Sequence, residues 1–124
     1  MKEMPAGTAD ELTIETTPEM STRHLPLPVY STPALVGQIE GLAVKMLLPY
    51  QEPGEVSVGF RIEVRHLAPT PIGMKVTIKE CLREQDGSKV VLDVEAFNES
   101  GTKIADGLHE RRVVDGSRFG GSRG

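Results

Sequence analysis

The stretch Tyr30-Ser31-Thr32-Pro33-Ala34-Leu35-Val36-Gly37-Gln38-Ile39-Glu40-Gly41-Leu42-Ala43-Val44-Lys45-Met46-Leu47-Leu48-Pro49 decides the fold of this 124-residue chain. Thr32 offers a hydroxyl to an unpaired first-turn amide, and Pro33 stands where a missing N–H costs nothing, so a helix is expected from Pro33 to about Leu48. Pro49 stops it, and Gln51-Glu52-Pro53-Gly54 makes the following turn. Apolar residues run nearly all round this helix, which predicts that other structure encloses it.

What surrounds the helix reads as strand. Upstream, Leu12-Thr13-Ile14-Glu15-Thr16 alternates with period two, and the three prolines between Pro18 and Pro28 mark an ordered loop. Downstream, Val56, Val58, Phe60, Ile62 and Val64 are expected to share one face of the longest strand, which His66 continues. Met74, Val76 and Ile78 begin another strand, Asp86-Gly87 turns it, Val90–Phe97 returns, Asn98–Gly101 turns again, and a last strand covers about Lys103–Val114. The expected class is α+β, an antiparallel sheet wrapped around one long central helix. Residues 1–10 are expected to form a flexible N-terminus, 11–115 the folded domain, and 116–124 a disordered Gly-rich tail.

Composition narrows the function. Eighteen acids against fourteen bases give a net charge of −4, which argues against nucleic acid as a partner. The basic residues Arg111, Arg112, Arg118 and Arg123 gather at the C-terminal end, where a small phosphate-bearing ligand remains plausible. Cys81 is the single cysteine, which excludes an intrachain disulfide and a cysteine-based zinc site, fits a reducing cytoplasm, and reads as an inert packing residue within a strand. His24, His66 and His109 lack metal-ligand spacing, so no metal is expected. The Ala34–Leu48 run carries Gln38, Glu40 and Lys45, and the first twenty residues show no secretion signal; no membrane role is expected.

Three polar residues stand out within apolar elements, where an unpaired polar group costs roughly 1–3 kcal/mol. Glu40 lies mid-helix, either desolvated with a raised pKa or at an exposed gap. His66 ends the long strand beside the Ala68-Pro69-Thr70-Pro71 loop, as a structural histidine or as a titratable group at a pocket rim. Thr32 is either the helix cap or a hydroxyl at the positive helix end, where a carbonyl oxygen could be polarised. Eight residues separate Thr32 from Glu40, about 12 Å along the axis and about 80° around it, so one chain cannot bring them into hydrogen-bond contact.

The chain resembles the hot-dog-fold acyl-CoA thioesterases, and within them the fluoroacetyl-CoA thioesterase-like group. The resemblance rests on Tyr30-Ser31-Thr32-Pro33-Ala34-Leu35-Val36-Gly37 with Glu40, Pro49-Tyr50-Gln51-Glu52-Pro53-Gly54-Glu55, Ser57-Val58-Gly59, His66-Leu67-Ala68-Pro69-Thr70-Pro71 and His109-Glu110-Arg111. It implies that Thr32, Glu40 and His66 are catalytic, that Gly59 lines the acyl pocket, and that Arg111, with Arg112, approaches coenzyme A phosphates. It further implies hydrolysis of a small or medium acyl-CoA, with the thioester as substrate and no retained cofactor, in a homodimer or higher oligomer. The group's fluoroacetyl enzyme carries a phenylalanine-bearing lid where this chain has Arg23-His24-Leu25-Pro26, so fluoroacetate selectivity does not follow. Whether Thr32, Glu40 or an activated water attacks stays open, and so do a non-catalytic acyl-CoA-binding module and a hot-dog hydratase.

Overall fold

The structure is a computed structural model described over residues 1–119. Strand β1 (Ala9–Glu15) leads through a 3-10 turn (Pro18–Met20) and a loop into helix α1 (Thr32–Leu47). After a second 3-10 turn come β2 (Glu55–His66), β3 (Lys75–Asp86), β4 (Lys89–Asn98) and β5 (Lys103–Asp115). Every pairing is antiparallel, and the order across the sheet is β1-β3-β4-β5-β2. This is the expected sheet around one long helix.

Leu35, Ile39, Leu42, Ala43, Met46 and Leu47 form the buried side of α1 and pack against Val76, Ile78, Leu92, Val94 and Ile104 of the sheet. The opposite side is not enclosed, contrary to the expectation from its apolar sequence. Gly37, Gly41, Val44 and Leu48 are exposed, because one sheet covers only about half of a helix. The Asp86-Gly87 turn forms as expected, with Gly87 at φ +60°, a conformation that Gly adopts without a Cβ penalty.

Three other expectations need correction. The first residues pack rather than fray: Met4 is buried, its N–H donates to Gln85 Oε1 (2.8 Å), and the Lys2 N–H donates to the Tyr50 carbonyl (2.7 Å). Of the expected tail, residues 116–119 form a 3-10 turn, whereas 120–124 lie outside the described residues. Within β2, the register against β5 slips between Gly59 and Arg61, making Phe60 the extra residue of a β-bulge. A one-residue slip exchanges faces, so Ser57 and Gly59 join Ile62, Val64 and His66 on the helix side, and Val56 and Phe60 turn outward and are exposed.

Candidate active site

The start of α1 places Thr32. Ser31, not Thr32, is the N-cap: its Oγ accepts from the Ala34 N–H (3.2 Å), and its carbonyl accepts from the Leu35 N–H (3.0 Å). The approach to the helix is fixed by the Tyr30 N–H donating to the Thr70 carbonyl (2.8 Å) and the Ser31 N–H donating to the Met20 carbonyl (2.8 Å). Relieved of capping, the Thr32 hydroxyl lies 2.9 Å from His66 Nδ1. With Ala34 and Leu35 satisfied by Ser31 and no N–H on Pro33, the Thr32 amide is the first-turn donor left for a ligand. The expected set of free helix-end amides thus shrinks to one.

His66 reaches this hydroxyl because it ends β2 on the helix side, opposite Ala105. Burial pushes its pKa below the usual 6.5, so the ring is neutral at pH 7 and able to take a proton. Its Nε2 is buried and has no partner among the described residues. The fully buried Tyr30 ring stands edge-on to the imidazole, with centroids 6.3 Å apart, and burial raises the phenol's pKa so that it stays protonated. A cleft of about 310 Å³ is lined by Thr32, His66, Tyr30, Ala68, His24 and Leu25. A second cleft, of about 590 Å³, shares Thr22, His24 and Thr32 with the first. Together they run past the Thr32 hydroxyl, which suits an elongated ligand.

Glu40 lies further along α1. It is not desolvated as one alternative required, since its side chain is 47% exposed, which matches the exposed-gap reading. Its Oε2 faces Arg111 Nη1 at 3.6 Å across Gly59. A Cβ on Gly59 would come within 2.9 Å of that oxygen, so the missing side chain makes room for the carboxylate.

Adjacent strand residues point to opposite faces, and this separates the two arginines. Arg111 is 3% exposed and turned inward, donating from Nε to Ser57 Oγ (3.2 Å) and from Nη2 to the Ser57 carbonyl (3.0 Å). It is an internal partner of Glu40 rather than a guanidinium open to phosphate. Arg112 lies on the outer face, donating to Glu110 Oε2 (2.6 Å) with its guanidinium 4.2 Å from the Phe60 ring centre, and is not brought to the Thr32 cleft. Cys81 is exposed on β3 rather than packed, because inward Val76 and Ile78 put Glu80 inside and Cys81 outside.

Two buried polar residues beside Arg111 were not read from sequence as an inward pair, although one of them was named in the His109-Glu110-Arg111 motif. They are Glu80 and His109, each 1% exposed, with Glu80 Oε1 3.3 Å from His109 Nδ1. Period two carried on from Val76 and Ile78 reaches Glu80, and carried back from Val113 it reaches Arg111 and His109. That phase was the available signal.

Comparison with known proteins gives the family. The family model of the fluoroacetyl-CoA-specific thioesterases matches residues 11–117. A fluoroacetyl-CoA thioesterase from Streptantibioticus cattleyicolor is 38% identical over 91 residues, 73% of this chain and 65% of that protein, so the match spans just under two thirds of the relative's length. A Thermus thermophilus thioesterase superfamily member superposes with a TM-score of 0.87 at 33% identity, covering 95% of this chain and 89% of the other. The fluoroacetyl-CoA thioesterase FlK also gives 0.87, at 32% identity over 95% and 93%. A mutant of FlK holding fluoroacetate and CoA gives 0.84, at 34% identity over 94% and 99%. The hot-dog architecture, the family match and these likenesses agree, and the chain belongs to the fluoroacetyl-CoA-specific thioesterase family.

Proposed function

We propose that this protein hydrolyses small or medium acyl-CoA thioesters. The observation that carries this reading is the 2.9 Å contact between the Thr32 hydroxyl and the neutral His66 imidazole, at a helix end whose remaining amide belongs to Thr32 itself. His66 Nδ1 takes the hydroxyl proton as Thr32 Oγ1 bonds to the thioester carbon, and the Thr32 N–H faces the oxygen that becomes negative. The C–S bond breaks, the sulfur leaves as thiol with the proton from His66, and the acyl group stays on Thr32. Water, giving a proton to the Glu40 carboxylate, then bonds to the acyl carbon; the bond from that carbon to Thr32 Oγ1 breaks, Oγ1 takes the proton back from Glu40, and the free acid leaves.

Since one helix holds Thr32 and Glu40 about 12 Å apart, the Glu40 serving a given Thr32 comes from a second copy in a homodimer. Support comes from β2, a twelve-residue sheet edge exposing Val56 and Phe60, next to the uncovered Gly37, Gly41, Val44 and Leu48 face of α1. Gly59 leaves acyl-side space next to Glu40, and coenzyme A enters as substrate. The exposed, single Cys81 thiol suits a reducing, cytoplasmic setting. Rapid-quench assays of Glu40→Gln with acetyl-CoA test the two-step reading: one thiol per site is released in a burst, the acyl group is found on Thr32, and steady turnover collapses. Full steady turnover in this variant would overturn the role of Glu40, and thiol release unchanged by Thr32→Ala would overturn that of Thr32.

A further inference from the structure

Glu80 on β3 and His109 on β5 form a buried polar chain that ends at Glu40. Arg111 Nη1 is 3.5 Å from His109 Nε2 and 3.6 Å from Glu40 Oε2, so one nitrogen of the guanidinium serves both neighbours. His109 Nδ1 lies 3.3 Å from Glu80 Oε1. The direction of the chain follows from chemistry. A guanidinium only donates, so His109 Nε2 accepts, its ring proton resides on Nδ1, and Glu80 Oε1 accepts that proton's hydrogen bond.

Packing does not account for this arrangement. Glu80 Oε2 is buried with no partner among the described residues, and a carboxylate so placed costs folding free energy that an apolar residue would not. Burial pushes the Glu80 carboxyl above its usual range, while His109 and Arg111 pull it back down. Arg111 Nε and Nη2 each donate to Ser57, and Nη1 divides its attraction between Glu40 and the His109–Glu80 pair. The charged or titratable groups facing Arg111 are Glu40 from α1, Glu80 from β3 and His109 from β5; β2 offers only Ser57 and Gly59, and β4 the apolar Val90 and Leu92.

We propose that Glu80 and His109 are positioning residues for Glu40, restraining through Arg111 how tightly the Glu40 carboxylate is held. Their negative end offsets part of the Arg111 charge and leaves Glu40 a competent base. Without it, Arg111 binds Glu40 alone and holds the carboxylate more tightly. The inference rests on the role given to Glu40 above, and its test separates the two.

Glu80→Gln keeps the side-chain shape and removes the charge. With acetyl-CoA it should leave the rate of the first thiol burst unchanged and slow steady turnover about tenfold. In a Glu40→Gln background the same change should do nothing further. Glu80→Leu, which fills the core space without charge, should reproduce the slow steady phase, and loss of fold in both variants would assign Glu80 to stability and overturn the proposal. Glu80→Gln with wild-type steady turnover, while Glu40→Gln is slow, would overturn the positioning role alone. Normal turnover in Glu40→Gln would instead remove the reading on which it rests.

Discussion

A threonine hydroxyl is a poor nucleophile until a base takes its proton, and the base must be neutral at the working pH. In the proposed reaction burial arranges this for His66 by holding its pKa below 6.5. The sign follows directly: the acid limb of the thiol burst should lie below pH 6.5, with the rate lost only once the ring is protonated. A limb at or above that value would mean that another group supplies the base. Thr32→Ala and His66→Ala should each lower the burst rate about 10²- to 10⁴-fold in a protein with an unchanged melting curve. Gly59→Ala presses a methyl group against the Glu40 carboxylate, which is a flexible side-chain end and can turn away. The variant should therefore fold normally and lose steady turnover more than burst rate, as measured in the same quench assay.

At the scale of elements, the capping serine and the apolar stripe of α1 account for its position. Ser31→Ala should cost about 1 kcal/mol in urea unfolding, because the Ala34 amide loses its acceptor. Ile39→Ala, at a fully buried position, should cost about 2–5 kcal/mol. The helix, the four strands that follow it and the Asp86-Gly87 hairpin were legible because periodicity and turn chemistry are local. Thr32 and His66, which stand 2.9 Å apart, and Glu40, beside Arg111, were visible as polar interruptions of apolar patterns. The bulge at Phe60 was not legible, since its extra residue is defined only by pairing with β5, and missing it placed Val56 and Phe60 on the wrong face. The cap was misassigned by one residue because Ser31 and Thr32 both carry the required hydroxyl. The apolar helix was read as enclosed because Gly37, Gly41 and Val44 look like core in sequence whether or not a second sheet or subunit covers them. Glu80 was missed, and His109 noted only for metal spacing and its motif, because their strands were read for apolar residues and a polar side chain at an inward phase passed as exposed.

For the whole molecule, the proposed dimer joins two copies along an open sheet edge and an uncovered helix face, so that each cleft takes Thr32 and His66 from one subunit and Glu40 from the other. Refolding Thr32→Ala and Glu40→Gln protein together should then restore about a quarter of wild-type steady turnover, since half of the random dimers carry one intact site of two. Activity no greater than the sum of the separate mutants would place all three residues of a site on one chain, and a monomer at micromolar concentration would remove the dimer. The claim beneath all of this is that the Thr32–His66 pair breaks a thioester, and free thiol is its most direct readout. Wild-type protein mixed with excess acetyl-CoA and a thiol reagent should release many equivalents of coenzyme A per chain, whereas His66→Ala should release almost none. Saturable acyl-CoA binding by wild-type protein, with no thiol above the uncatalysed rate for any acyl chain tested, would contradict it.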